Sequence, residues 1–409
     1  MSAPPPTDRG DAPRGAGRRS RRRGACGARF LGSGAGARVL AVDIGTGTAD
    51  ILLTLPGEPL ENAVRLVVPS RTQVVARQIE AATAAGIPVV FTGVTMGGGP
   101  CGAAMKRHVA AGLAFVAGET AARTFADDLD RVRARGVGVV SDAQAAALAA
   151  EATGRDGPAV VQSGDLDVDG LRDALRRLGV APSFDLVCVA AQDHGFNPGG
   201  SNRAFRFSLW EQALSERRAL TSLFYDLRDI PAPLTRLRAA AGLARELGGG
   251  APVLAADTGP AALLGALPDD AQDGVLVNVG NGHVTCGVAR AGRLAGVFEH
   301  HTSALDGCDL EDRLRRFLAG ELTDASVRDD GGHGAVLAAD ALDGLRAAAA
   351  PQAGGSPAGG IMVTGPRREL LRDAALDLAF VAPHGDMMLT GCHGLLRAAR
   401  ERGSATLPG

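Results

Sequence analysis

Short apolar runs alternate with segments of helical spacing along most of the chain after residue 38. Runs of strand length predict buried strands at 39–42, 51–53, 87–91, 137–141, 186–191, 252–256, 361–364 and 379–383. Apolar residues three to four positions apart predict helices near 73–86, 102–117, 119–135, 142–153, 310–319, 335–349, 366–378 and 391–401. Strands that alternate with helices of this length are typical of layered α/β proteins, and we predict that class.

The centre of the second half has a different pattern. Three short strands are predicted at 274–279, 284–289 and 294–298, with only short glycine-containing connections between them. Apolar residues alternate with period two after the glycine turn at 280–282, which indicates a strand there and not a helix. A similar glycine turn at 45–47 separates the first two predicted strands. We therefore predict two antiparallel hairpins, one in each half of the chain.

These glycine turns suit phosphate binding, because a turn without Cβ atoms lets several backbone N–H groups converge on an anion. Two other phosphate motifs are excluded by their spacing. A Walker-type loop needs Gly-Lys-Ser/Thr, whereas the single lysine, Lys106, lies between Met105 and Arg107. A dinucleotide fingerprint follows a strand and opens a helix, whereas the glycine-rich segment 32–37 precedes the first strand.

Charge is spread unevenly along the 409 residues, which carry 43 basic and 45 acidic side chains. Residues 1–37 have eight arginines against Asp8 and Asp11, so the rest of the chain is mildly acidic. We predict that 1–37 is a disordered Arg/Gly/Pro-rich tail, since it has few branched apolar residues. The acidic remainder argues against nucleic acid as a partner.

The distribution of apolar residues and cysteines narrows the class further. No apolar run approaches the roughly 18 residues of a membrane span, and no apolar stretch follows the arginine run as in an export signal. We therefore predict a cytoplasmic protein without a membrane partner. The six cysteines are far apart and form no CxxC pair, which argues against a zinc ribbon or a disulfide scaffold.

Several motifs in order resemble the superfamily of actin, sugar kinases and heat-shock chaperone ATPases. Asp43–Thr48 is similar to its first phosphate loop and Asn278–His283 to its second. Asp257–Ala262 resembles the helix that connects the two domains, and Leu305–Glu311 the helix start after the second loop. Ile361–Arg367 is similar to the adenosine motif. The resemblance implies two ribonuclease H-like domains around a nucleotide cleft, and their expected bounds are 38–250, with an insert at 95–250, and 251–409.

The resemblance also implies site residues and the cofactors ATP and Mg²⁺. Asp43 is expected to hold Mg²⁺, and Asp257 to orient a water or substrate hydroxyl. The alternatives are that Asp43 is a turn residue and that Asp257 is a helix N-cap. Asn278 stands where the second loop usually begins with Asp, and an amide brings no charge to a metal, which weighs against efficient hydrolysis. The expected nucleotide-binding residues are Gly45, Thr46, Gly47, Thr48, Asn278, Gly280, Asn281, Gly282, His283, Gly365, Pro366 and Arg367.

Polar residues after the strand at 186–191 form a further candidate site. Asp193 and His194 precede a Gly/Pro/Asn loop, and such residues at the carboxyl end of a strand are candidates for acid–base catalysis or metal binding. The same composition also suits an exposed turn. His300 and His301 end another predicted strand, but neighbouring strand residues point to opposite faces, so we do not expect both to bind one metal ion.

A narrower resemblance is carried by 43–48, 192–195 and 384–388, which are similar to a family labelled "putative pyruvate formate-lyase activating enzyme". Radical S-adenosylmethionine enzymes of that activity need a CxxxCxxC cluster, and no such spacing occurs here. The first hypothesis is therefore a Mg²⁺-dependent ATPase or small-molecule kinase. The alternatives are an ATP-driven activator of a client enzyme, with Cys101 or Cys286 holding an iron–sulfur cluster between subunits of a homodimer, and a nucleotide-sensing module.

Overall fold

The computed structural model describes residues 36–152, 157–197, 201–216, 219–268, 271–338, 341 and 360–403. Its strands are β1 (Val39–Ile44), β2 (Thr48–Leu53), β3 (Val64–Pro69), β4 (Val89–Gly93), β5 (Phe115–Gly118), β6 (Gly138–Val140), β7 (Ala159–Ser163), β8 (Leu186–Ala191), β9 (Phe224–Asp226), β10 (Val253–Ala256), β11 (Gly274–Val279), β12 (His283–Arg290), β13 (Arg293–His301), β14 (Gly334–Leu337), β15 (Ile361–Thr364) and β16 (Leu378–Phe380). The tail predicted to be disordered lies almost entirely outside the described residues.

The helices are α1 (Arg71–Ala85), α2 (Gly99–Ala110), α3 (Glu119–Ala122), α4 (Leu129–Arg133), α5 (Asp142–Glu151), α6 (Val168–Arg177), α7 (Asn202–Ser215), α8 (Thr235–Leu247), α9 (Thr258–Ala266), α10 (Gly307–Ala319), α11 (Asp324–Asp329) and α12 (Thr390–Gly403). None of the helices in the described ranges is long and apolar enough to cross a membrane.

Two six-stranded sheets share a five-strand arrangement, an antiparallel meander of three strands followed by two parallel strands, and differ in the sixth strand. In the first sheet the order is β3-β2-β1-β8-β10-β9, with an antiparallel meander of β1 to β3 followed by β8 and β10 parallel to β1. In the second sheet, β14-β13-β12-β11-β15-β16, strands β11 to β13 form the meander and β15 and β16 run parallel to β11. Two α/β units built in the same way confirm the predicted fold class.

The predicted hairpins are both present. Strands β1 and β2 pair around the turn at 45–47, and β11 and β12 pair around the turn at 280–282. The strand predicted at 252–256 forms β10, which pairs with β8 in the first sheet. By sheet membership, the chain therefore passes to the second unit through α9, not at residue 250.

A third, parallel sheet of order β6-β5-β4-β7 is inserted between β3 and β8 of the first sheet. Two of the helices predicted in this region were wrong. The end of the helix predicted at 102–117 is β5, because Phe115 and Ala117 are buried beside β4. The segment 119–135 forms the two short helices α3 and α4.

Two later helix predictions also fail in the described residues. The helix predicted at 335–349 begins instead with β14, because 334–337 pairs with β13 and forms the edge of the second sheet. Residues 339–340 and 342–350 of that prediction lie outside the described residues. The helix predicted at 366–378 is reduced to the short 3-10 turn Arg368–Leu371.

Helices α9 and α12 pack between the two large sheets, with α12 against β1 and β8 and α9 against β11. They cross at two glycines. A Cβ on Gly265 would overlap the Thr390 carbonyl, and one on Gly394 would overlap the Ala261 carbonyl. The apolar core around this crossing includes Leu263 and many other residues from both sheets. The two sheets can therefore approach this closely only because both helices have glycine at the crossing.

We expect Gly394→Ala to lower the free energy of unfolding by about 1–3 kcal/mol, because the added methyl must displace backbone. Gly242→Ala is the matched control, since Gly242 lies on α8 and no atom lies within 4 Å of the position that its Cβ would take. That change should raise stability by about 1 kcal/mol through helix propensity. Urea unfolding measures both values. An unchanged Gly394→Ala variant would show that the crossing can relax.

Candidate functional site

The two glycine hairpins meet at a cleft of about 420 Å³ between the two sheets. The start of α12, the loop after β8 and the loop before α2 complete its walls. The lining residues include most of those predicted from sequence: Asp43, Gly45, Thr46, Thr48, Asp193, His194, Asn278, Gly280, Asn281, Gly282, His283, Gly365 and Pro366. A volume of this size is within the usual range for small-molecule sites.

The hairpin tips face each other closely. A Cβ on Gly47 would lie 2.7 Å from Asn281 Nδ2, and a Cβ on Gly282 would lie 2.8 Å from Thr46 Oγ1. Side chains in place of these glycines would fill the gap between the tips. The hairpins thus approach each other through backbone and small polar groups.

Hydrogen bonds hold the tips while leaving amides free. Gly45 donates its N–H to Thr48 O, and Gly280 donates to His283 O, both at 2.9 Å. Ser70 donates to the Thr46 and Gly47 carbonyls, and Thr302 donates to those of Gly280 and Gly282. Among the described hydrogen bonds outside regular elements, none uses the N–H groups of Thr46, Gly47, Asn281 or Gly282. The amide predicted at Gly280 is therefore occupied, whereas these four remain for an anion.

Asp43 and Asp50 form a carboxylate pair at the base of the first hairpin. They are cross-strand partners in β1 and β2, both line the cleft, and the Oδ1 atom of each is buried without a hydrogen-bond partner. Burial raises the pKa of Asp43 well above its usual range, and the negative charge of Asp50 adds to this. Burial likewise raises the pKa of Asp50 to about 7. Two buried carboxyl groups without a cationic partner are suited to a divalent cation.

Asp257 has a different environment from the one expected. It caps the N-terminus of α9, and its carboxylate accepts hydrogen bonds from Gly259 N and Asp193 N. Arg206 binds both oxygens, at 3.0 and 2.8 Å, and this charge holds the pKa of Asp257 below its usual range. Asp257 is therefore an anchor between α7 and α9, with its oxygens committed to these partners.

Asp193 is also committed to backbone groups. Its Oδ1 accepts from Gly195 N and its Oδ2 accepts from Leu237 N, both at 2.8 Å. The side chain is buried and holds the loop after β8 against the start of α8. His194, the next residue, differs because its Nε2 is buried without a hydrogen-bond partner.

The adenosine motif lies at the other wall of the cleft. A Cβ on Gly365 would lie 2.6 Å from Asn278 Oδ1, so this glycine permits close contact between β11 and the loop after β15. Gly365 and Pro366 line the cleft. Arg367 is exposed and is not among the lining residues, although its backbone N–H binds Val279 O at 2.9 Å.

Four histidines gather beside the second hairpin. The ring centroids of His194, His283 and His301 lie 4.8, 4.7 and 4.6 Å from that of His333. Burial lowers the pKa of His194 to about 3 and that of His283 to about 2, and it lowers the pKa of His333 as well. These imidazoles are therefore neutral at ordinary pH. His300 faces away, toward Asp330, as expected for neighbouring strand positions.

A buried ion-pair group lies behind these histidines. Arg206 on α7 binds Asp257 at the end of β10 and Glu299 on β13, so one guanidinium connects both sheets. Gln192 at the end of β8 also donates to Glu299, at 2.8 Å. His333 Nδ1 lies 3.1 Å from the Glu299 carboxylate.

The five cysteines within the described part of the chain do not assemble into a cluster. Cys101, Cys188, Cys286 and Cys392 are buried, Cys308 is exposed, and these five are free thiols. Burial raises the pKa of Cys101 to about 11. Because Cys101 and Cys286 are fully enclosed in separate cores, they lack the exposure needed for a cluster shared between subunits.

The model of the family described as "Putative pyruvate format-lyase activating enzyme (DUF1786)" matches residues 96–370, two thirds of the chain. The chain belongs to this family. The narrower resemblance seen in the sequence is thereby confirmed, and the segment 384–388 that contributed to it brings Met387 and Met388 to the cleft. No curated protein matches the chain.

Among solved structures, the chain is similar to the ethanolamine utilization protein EutJ from Carboxydothermus hydrogenoformans. The identity is 10% and the TM-score 0.30, over 87% of this chain and 88% of that chain. It is also similar to MreB5 of Spiroplasma citri bound to ADP, with 11% identity and a TM-score of 0.30, over 90% of this chain and 99% of that chain. The fold assignment rests on the sheet connectivity described above.

Sequence reasoning missed three functional candidates. Asp50 could have been predicted from the sequence. It is an acid within an apolar strand, and the predicted hairpin pairs it with Asp43. Glu299 and His333 carried no local signal, because they reach the site only through the pairing of β12 with β13 and the loop before β14.

In metal-free protein, we expect Asp50→Asn to flatten the dependence of stability on pH. The raised pKa means that the folded state holds this proton more tightly than the unfolded state, so wild-type stability falls as pH rises from about 4 to about 7. The asparagine side chain does not titrate, so up to about 4 kcal/mol of this decrease in the free energy of unfolding should be absent in the variant. Urea unfolding in a chelator at about pH 5 and pH 8 measures it.

Asp373→Asn, at an exposed position, is the control and should keep the wild-type pH dependence. An equal change in the free energy of unfolding between the two pH values for the wild type and Asp50→Asn would contradict the buried, unpaired state of Asp50.

Proposed function

We propose that the protein binds a nucleotide with Mg²⁺ in the cleft between its two domains and transfers a phosphoryl group. One observation carries the proposal. Two equivalent hairpins, one from each sheet, present uncommitted backbone N–H groups to one another across a cleft, with a buried carboxylate pair at its base. Such converging amides are an anion site, and phosphates are the anions that two opposed hairpins would hold from both sides.

The chain's own residues would divide the work as follows. The amides of Thr46, Gly47, Asn281 and Gly282 donate to phosphate oxygens. Gly365 and Pro366 form the surface for the nucleoside, since the loop after β15 is held against Asn278 at the wall of the cleft. Phosphoryl transfer depends mainly on this positioning and on charge neutralisation.

The residues at the base of the cleft fit a magnesium ion. Asp43 and Asp50 supply one or two carboxylate oxygens, and the remaining positions of Mg²⁺ are normally filled by water and phosphate. When bound, the ion would neutralise charge on the transferred phosphate. Asn278 adds an amide and no charge.

The acceptor of the phosphoryl group is either water or a small polar molecule. The cleft extends toward the inserted sheet, where Arg123, Asp127 and Asn202 line it, and this gives space for a second ligand beside the nucleotide. Of the four residues first considered catalytic, Asp193 and Asp257 are committed to structural hydrogen bonds, so we assign catalysis to neither. His194 and Asp43 remain as candidate catalytic residues.

The family name refers to activation of pyruvate format-lyase. We do not extend that activity to this chain, because its cysteines lack the spacing of a radical S-adenosylmethionine cluster. The buried positions of Cys101 and Cys286 also count against an iron–sulfur activator.

Calorimetry with ATP and ADP tests the proposal, with Mg²⁺ and with a chelator. We expect binding of ATP that Mg²⁺ strengthens, and Asp43→Asn should weaken binding of Mg²⁺-ATP by at least about tenfold, or 1.4 kcal/mol. Asp373→Asn should bind like the wild type. Absence of any nucleotide response in folded wild-type protein would refute the proposal.

Gly282→Ala tests the role of the hairpin tips. Its methyl group would lie against Thr46 Oγ1, so we expect it to narrow the gap and weaken ATP binding at least about tenfold. Gly242→Ala, on the surface of α8, should leave binding unchanged. Equal affinities for the two variants would show that the phosphates lie elsewhere.

A further inference from the structure

A group of side chains of the metal-ligand type lies at the cleft, and neither Asp43 nor Asp50 belongs to it. His194, His283, Glu299 and His333 each place a ligand atom so that all four atoms lie within 4.8 Å of one another. We call these four residues the histidine cluster. His333 and Glu299 are fully buried, whereas His194 and His283 line the cleft.

Distant segments assemble this cluster. His194 follows β8 of the first sheet, and His283 begins β12 of the second. His333 lies in the loop between α11 and β14, where its N–H binds the Glu299 carbonyl at 2.9 Å. Gly332 precedes it, and a Cβ there would lie 2.5 Å from Val327 Cγ1, so the loop is closely packed. This hydrogen bond and this packing hold the backbone of His333 beside Glu299.

One ring nitrogen of each histidine in the cluster lacks a hydrogen-bond partner, whereas His333 Nε2 lies 3.3 Å from His301 Nε2. His194 Nε2, His283 Nε2 and His333 Nδ1 are buried and accept or donate no hydrogen bond. A buried polar atom left unsatisfied typically costs about 1–3 kcal/mol. Because each of these residues has a ligand atom within 4.8 Å of those of the others, a single cation at the cluster would be within reach of all of them.

We propose that the histidine cluster binds one first-row transition-metal ion of the Zn²⁺ class, with His194, His283, His333 and Glu299 as ligands. Three imidazoles and one carboxylate suit Zn²⁺ or Fe²⁺, whereas Mg²⁺ prefers oxygen ligands. Binding requires the four ligand atoms, which now lie within 4.8 Å of one another, to move closer together.

The surroundings support a cation there. Glu299 is oriented by Arg206 on one oxygen and by Gln192 on the other, which is the kind of outer contact that fixes metal ligands. Arg206 is matched by Asp257 and Glu299, so the group has one net negative charge while the imidazoles are neutral. A divalent ion would change that net charge from one negative to one positive.

The cleft supplies an access route, because His194 and His283 line it. His283 directly follows the second hairpin tip, so an ion in the cluster would lie beside Gly282 and face any polar ligand in the cleft. This site does not depend on the proposed nucleotide function, because its ligands differ from Asp43 and Asp50.

The test uses the full chain, stripped of metal with a chelator and titrated with Zn²⁺ and Co²⁺. We expect one equivalent of either ion to bind by calorimetry, and Co²⁺ to give the visible absorption of a low-coordinate nitrogen-rich site. X-ray absorption of the Zn²⁺ form should show imidazole scattering. Mg²⁺ in excess should not displace the ion. Lack of binding, or displacement by Mg²⁺, would overturn the proposal.

Variants locate the ion. The double variant His194→Asn/His283→Asn should weaken Zn²⁺ binding by more than about 100-fold, beyond the effect of losing an outer contact. His384→Asn, at an exposed histidine outside the cluster, should bind like the wild type. Tight binding that survives in the folded double variant would overturn the assignment. Should the double variant lose its circular dichroism, the single His283→Asn variant decides in the same way.

Nucleotide binding gives a separate readout. Binding of Zn²⁺ without binding of ATP would support the metal site and refute the proposed function. Binding of ATP without binding of Zn²⁺ would support the proposed function and refute the metal site.

Discussion

The structure depends on the close crossing of α9 and α12 between two sheets. Gly265 and Gly394 remove the side chains that would separate the helices, so each helix backbone contacts the other directly. Because α12 packs on the first sheet and α9 on the second, the crossing sets the distance between the two domains. That distance decides whether the hairpin tips face each other across a cleft or lie apart.

The same helices form the floor of the site. Gly391, in the first turn of α12, packs directly against the Asp43 carboxylate, and a Cβ there would overlap its Oδ2 atom. Asp257 caps α9 from the end of β10 and receives Arg206. Helix termini and carboxylates are thus placed by one packing arrangement, and a shift of either helix would move both acids.

Polar groups join the domains on the other side of the cleft. Arg206 pairs with acids from both sheets in a buried setting, where removing one partner is costly because the remaining charge stays buried. This ion-pair group fixes α7 and the end of β13. It thereby determines the position of Glu299, and through it that of His333. The histidine cluster is a consequence of the domain junction and not of any local motif.

Local pattern was sufficient for the hairpins and most strands. The apolar runs at 186–191, 274–279 and 361–364 were predicted with bounds that match β8, β11 and β15. The prediction failed at β5 and β14, where alanine-rich sequence fits a helix and only pairing with a neighbouring strand makes it extended. Of the four strands of the inserted sheet, β4 and β6 were predicted from apolar runs, whereas β5 and β7 were not.

The sequence by itself determined the class of fold, the two glycine turns and the first acid of the site, since these depend on residue type and short spacing. Only the tertiary structure decided which polar residues share the cleft. Asp193 and Asp257 turned out to be bound to backbone amides and an arginine, while Asp50, Glu299 and His333 came into the site. The physical reason is that strand register and helix crossing bring together residues far apart in the chain, and no local pattern records those distances.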